Sequence, residues 1–126
     1  MKTLLVIALV LLILLAGCVI SVRYIVNSAQ GIISLVDEVA DAIDAERWPE
    51  AGQAFVRAQA AWTEVEKHWK IIINHDDMRD IQLGFVHLSV ALAHQDQWQA
   101  IKELRTLRYY LNHVPESERV EIGNVL

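Results

Sequence analysis

The chain has 126 residues, 54% of them hydrophobic, a formal charge of −5 and a single cysteine. That length suits one small domain, the apolar content excludes disorder, and one cysteine excludes a disulfide scaffold. Setting Lys2 aside leaves the rest of the chain more acidic still, which argues against nucleic acid or anionic lipid as the main partner.

From Leu4 to Val22, only Gly17 and Ser21 fall outside the apolar set, and no charge interrupts the run. At about 1.5 Å of rise per residue such a segment reaches roughly 28 Å, close to the hydrocarbon thickness of a bilayer. Lys2 precedes it and Arg23 ends it. The tetrapeptide Leu15-Ala16-Gly17-Cys18 matches a bacterial lipoprotein signal, with Cys18 as the lipidated residue. Against that, Val19, Ile20, Val22, Tyr24, Ile25 and Val26 stay apolar where a lipidated cysteine leads into a polar tether. Residues 1–23 therefore read first as an uncleaved signal anchor, with the lipoprotein signal as the alternative and a simple cleaved signal third. Each of these sets residues 24–126 on the extracytoplasmic side of a single-pass membrane protein, and Lys2 on the inside agrees with the positive-inside tendency.

Without proline before Pro49, the anchor can run straight into a first domain helix. Ile32, Val36, Val39 and Ile43 mark its apolar face, and Asp37, Glu38, Asp41 and Asp44 its acidic one. Those four acids are the candidate interaction residues, turned either to a partner or to the basic stripe Lys102, Arg105 and Arg108. Pro49 suits the start of a second helix, predicted over about 49 to 73, because its missing N–H would have no intrahelical partner there. Phe55, Ala58, Trp62, Val65, Trp69 and Ile72 form its core series. Asn74-His75-Asp76-Asp77 then reads as a helix start in which Asn74 or Asp76 accepts from free N–H groups. The third helix carries Met78, Ile81, Phe85, Leu88 and Leu92. A fourth, starting near Asp96 or Gln97, carries Ala100, Leu104, Leu107 and Leu111 and should stop before Pro115, leaving 116–126 as a turn and an extended tail.

Trp48 and Trp98 lie 50 residues apart, each near an acidic residue and followed by alanine, and both junctions resemble the corners of tetratricopeptide hairpins. The two tryptophans are expected to pack across the hairpin ends. The fold class is thus all-α: an N-terminal transmembrane helix followed by a four-helix domain of two antiparallel, tetratricopeptide-like hairpins.

The pattern Trp48, Ala51, Phe55, Trp62, Trp69, then Ile73-Asn74-His75-Asp76-Asp77-Met78 with Ile81, then His113-Val114-Pro115 and the ending Gly123-Asn124-Val125-Leu126, resembles the bacterial domain-of-unknown-function family 4363. These are small membrane-anchored proteins found mainly in Gram-positive spore formers. The resemblance covers essentially the whole chain. It implies no activity, and it implies by association a membrane complex, since members are often encoded beside a multi-pass membrane protein.

No phosphate loop, cysteine pair, nucleophile elbow or His-Glu-x-x-His helix is present in the sequence. The one polar cluster of note is His75, Asp76, Asp77 and Asp80, which could hold a divalent metal with help from another helix but reads more simply as a capped corner. His68 and His75, like His87 and His94, are seven apart, about 10 Å along a helix and too far to share one metal directly. The expected function is a non-catalytic, membrane-tethered interaction or accessory subunit with a protein partner in the membrane, no cofactor and no nucleic acid. The alternatives are a metal-dependent hydrolase at the His75 corner or a ligand-binding lipoprotein.

Overall fold

Neither proline nor a capping residue interrupts the first third of the chain, and its backbone accordingly forms one helix, α1, over Lys2–Asp44. The computed structural model describes the backbone of residues 1–125 and the side chains of residues 1–115. Three further helices follow: α2 over Trp48–Ile72, α3 over His75–Ala93 and α4 over Gln97–Val125. The first half of α1 is exposed along its whole length and is long and apolar enough to cross a membrane. Its second half turns Ile25, Ala29, Ile32, Val36, Val39 and Ile43 into the core of a bundle, one residue per turn at the spacing the sequence dictates.

Each helix touches its two neighbours around a ring: α1 packs on α2 and α4, and α3 packs on α2 and α4. The two hairpins form as expected, but the tetratricopeptide-like arrangement is not confirmed. Stacked repeats set the first helices of successive hairpins side by side, which here would bring α1 against α3; α4 takes that place instead. The ring encloses one core, in which Trp62 stacks on Phe85 at 6.1 Å and meets Trp69 edge to face at 5.6 Å. Phe55 adds a tilted contact to Phe85 at 6.0 Å. Both tryptophans are fully buried. On the opposite side α3 and α4 come close enough that a Cβ on Gly84 would lie 2.9 Å from Leu107 Cδ1 and 3.4 Å from Leu107 Cβ.

The two hairpin corners share one hydrogen-bond pattern. Arg47 N–H donates to the Ala42 carbonyl and Glu46 N–H to that of Ile43; at the second corner Asp96 N–H donates to Ala91 and Gln95 N–H to Leu92. These are Schellman caps, with Glu46 at φ 57° and Gln95 at φ 52° in the left-handed position that glycine usually fills. The equivalence between corners is therefore a shift of 49 residues. It aligns Trp48 with Gln97 and Pro49 with Trp98, so the 50-residue tryptophan spacing is not a structural repeat. Trp48 is half-buried at its corner, whereas Trp98 is 86% exposed and does not pack across the hairpin end.

Helix α4 departs from expectation at Pro115, which lies inside it. A mid-helix proline removes one backbone hydrogen bond and clashes with the carbonyl four residues back, at a cost of about 3 kcal/mol. Leu111 and Val114, both buried just before it, hold the helix through that point by core packing. The backbone of 116–125 is helical, not an extended tail; Leu126 lies outside the described residues.

The buried indoles differ in one respect. Trp62 Nε1 donates to Gln82 Oε1 at 3.0 Å, while Trp69 Nε1 is buried with no acceptor among the described residues. Truncating either residue to alanine should cost about 3 to 5 kcal/mol through lost burial and the cavity left behind. Trp69→Phe should be milder than Trp62→Phe, because it deletes an unsatisfied donor instead of a formed hydrogen bond. Urea unfolding of the full chain in detergent measures all four variants, and parent-like stability in both alanine variants would contradict the packing.

Candidate functional site

The corner between α2 and α3 is built by local hydrogen bonding. Ile73 ends α2 in an extended conformation, and Asn74, at the N-cap of α3, accepts from Asp76 N–H through Oδ1 at 2.8 Å. Of the two candidate caps it is Asn74 that performs the task. Asp76 and Asp77 fall in the first turn, where the positive end of the helix dipole favours a carboxylate, and Asp76 also pairs with Arg79 at 3.2 Å. His75 and Asp76 are exposed and Asp77 and Asp80 half-buried. Among the described residues no three His, Cys, Asp or Glu side chains converge as a metal site would require, so the fold does not bring His75, Asp76, Asp77 and Asp80 together.

The histidine spacing resolves differently for the two pairs. Since α2 ends at Ile72, His68 and His75 lie on different helices, and His68 instead meets Tyr24 of α1 edge to face at 6.0 Å. His87 and His94 both line an open groove of about 300 Å³ between α3 and α4, with Asp96, Gln99 and Glu103. Within it His87 Nδ1 lies 3.6 Å from Glu103, and Glu103 also accepts from Gln99 at 2.7 Å. This groove was not singled out in the sequence, because nothing in the spacing of α3 reports which face α4 will cover.

The acidic face of α1 is divided among its neighbours. Asp37 accepts from Arg108 Nε of α4 at 3.0 Å, and Glu38 pairs with Arg57 of α2 at 3.3 Å. Both pairs are about half exposed, so each contributes little stability. Asp41 and Asp44 are exposed and have no ion pair among the described residues. Cys18 is free and exposed on the first half of α1. Near Asp44, Gln97 Nε2 donates to the Ile43 carbonyl at 3.3 Å and closes the end of the ring away from the apolar segment.

A second surface stands out by its lack of charge. From Ile81 to Gln95 there is no Asp, Glu, Lys or Arg, and from Ala51 to Thr63 only Arg57, which turns to Glu38. Val56 on α2 and Leu83, Val86 and Val90 on α3 are accordingly exposed, and Val90 also lines the groove against α4. A helix needs its apolar residues on the core side, and these four are additional to that set. Sequence reading missed them because attention to the core register hides a second stripe.

Removing the α3 cap should leave a free N–H at the first turn and lower stability by about 0.5 to 2 kcal/mol in Asn74→Ala. Asp76→Ala, which leaves that cap intact, should cost less. Divalent metal should not raise the melting temperature of the parent protein. A metal bound at 100 times its dissociation constant would add about 2.7 kcal/mol, and a shift of that order lost in His75→Ala would overturn the structural reading of this corner.

The comparison with protein families gives one match, to the model described as Domain of unknown function (DUF4363), over residues 19–125. No curated protein and no solved structure matches the chain. The matched span takes in the end of the apolar segment, the rest of α1 and helices α2, α3 and α4, including the Trp62 and Trp69 core and the Asn74 corner. On that match the chain belongs to the DUF4363 family.

Proposed function

We propose that this protein is a membrane-tethered, non-catalytic interaction or accessory subunit whose helical domain stands on the extracytoplasmic face of a cell membrane. The observation that carries the reading is the continuity of α1: one helix supplies both the apolar segment and a full quarter of the bundle core, so tether and domain are a single rigid body. A flexible linker would let the domain search for soluble substrates. A rigid strut instead holds its faces at fixed height and orientation, as suits a subunit that docks on a neighbour in the same bilayer.

Two exposed features support a protein partner. Trp98 is almost wholly exposed at the membrane-distal end, at the same end of the bundle as Asp41 and Asp44, which form no ion pair among the described residues, and exposed tryptophans are favoured anchors at protein interfaces. The uncharged α2 and α3 face is the other. Hairpin helices joined by tight corners present both with little conformational freedom to lose on binding. Lys2 before the apolar segment agrees with a cytoplasmic N-terminus, but Arg23 after it is a matching single charge, so the orientation proposed here rests on the signal-anchor pattern of residues 1–23.

Sidedness is checked with the full chain in intact cells, in a Cys18→Ser background carrying Trp98→Cys. A membrane-impermeant maleimide should label it without permeabilisation; labelling only after lysis would reverse the orientation. A photo-crosslinking residue at Val86 or at Trp98 should join the protein to another integral membrane protein, and absence of a heterologous product from both positions would remove the accessory-subunit reading.

A further inference from the structure

The end of the bundle nearest the apolar segment carries two isoleucines where a domain standing in water would carry polar residues. Ile71 is 83% exposed and Ile72 40% exposed, at the last turn of α2. Their height is set by the antiparallel pairing of α1 with α2. The Arg57 to Glu38 pair marks the register at one level and the Tyr24 to His68 ring contact marks it nearer the apolar segment. Continuing that register brings the end of α2 beside the top of the apolar segment, and Ile72 does share an open groove there with Leu14, Cys18, Ser21, Val22 and Ile25 of α1. Because α1 is unbroken between Lys2 and Asp44, no hinge can lift this end away from the surface into which residues 4–22 insert.

We propose that the α2–α3 corner is a lipid contact: Ile71 and Ile72 enter the acyl-chain boundary of the bilayer that holds α1, and the domain sits on that bilayer instead of above it. The proposal rests on the anchor reading of residues 4–22. The two cations nearest the isoleucines agree with it, and Asp76 at the same corner is paired with Arg79. Arg23 closes the apolar segment and Lys70 precedes Ile71; both are exposed and neither forms an ion pair among the described residues. A cation with a long apolar stem beside an inserted isoleucine can reach headgroup phosphates while its methylenes stay in the interface. The partner is the ordinary phospholipid of the surrounding membrane, not a specific anionic lipid, which fits the overall negative charge of the chain.

The test uses the full chain in a Cys18→Ser background with single cysteines at Ile71→Cys, Leu9→Cys and Trp98→Cys, each labelled with an environment-sensitive fluorophore. The proteins are reconstituted into phosphatidylcholine vesicles containing lipid brominated on the upper acyl chain. Emission from position 71 should shift to the blue and lose intensity to the brominated lipid, as at position 9, while position 98 shows neither change. Quenching at position 9 with position 71 behaving like position 98 would overturn the lipid contact and leave the anchor standing. No quenching at position 9 would overturn both. A label at 71 shielded from brominated lipid and from aqueous iodide alike would also overturn it, by showing protein over the corner.

Discussion

One backbone constraint organises the molecule: a single uninterrupted hydrogen-bond ladder in α1 carries both an exposed segment long and apolar enough to cross a membrane and one side of the bundle. In a bilayer every peptide group has to be paired within the segment, and a helix is the only single-strand solution. In the bundle the same ladder presents one apolar residue per turn to its neighbours. Ile25, the first fully buried residue, lies only two positions past Arg23, so the environment changes within a turn while the backbone does not change at all. Everything downstream is placed by that rod. The register of α2 and α4 on α1 is set by core packing and marked at the surface by Glu38 with Arg57 and by Asp37 with Arg108, adjacent acids reaching to different neighbours.

The corners show how little the loops contribute. Between α1 and α2, and again between α3 and α4, the chain reverses over three residues, with a left-handed Glu46 or Gln95 in place of glycine. A non-glycine residue there is strained by roughly 1 to 2 kcal/mol, which the ring of packed helices must offset. The α2–α3 corner works otherwise, through the extended Ile73 and the Asn74 cap, and needs no left-handed residue. Two kinds of corner thus alternate around the ring: Schellman turns at the end away from the apolar segment, an asparagine cap at the end beside it.

Helix positions and the core were legible in the sequence because a buried stripe repeats at the helical period, and Trp62, Trp69, Phe85 and Leu107 stand where that period puts them. Three things were not. Helix α4 runs through Pro115, since local proline chemistry yields to the burial of Leu111 and Val114, which periodicity cannot weigh against it. The tryptophan spacing misled, because the hydrogen-bond register of the corners repeats at 49 and side-chain identity at 50. Closure of the ring by α1 and α4 depends on pairing between the ends of the domain, and no window along the chain contains that information. For the candidate site, the Asn74 cap and the pairing of an α1 acid with the basic stripe, realised as Asp37 with Arg108, were legible from residue type and place, whereas Arg57 as the partner of Glu38 became visible only once the helices were set side by side.

The division of the acidic face bears on where a partner could bind. Had all four acids of α1 been free, the domain would offer an extended negative strip suited to a basic segment. Asp37 and Glu38 are instead committed to neighbouring helices, which leaves Asp41 and Asp44 at the distal end with Trp98 close by in the fold. A small apolar anchor rimmed by unpaired charge is a better match to the centre and edge of a protein interface than a strip of charge alone, because exposed ion pairs add little affinity and mainly govern approach. The uncharged surface of α3 reaches that end, since Val90 lines a groove with Asp96 and Gln99, the residues that flank Trp98, so the two surfaces are contiguous and a partner seated on one would meet the other.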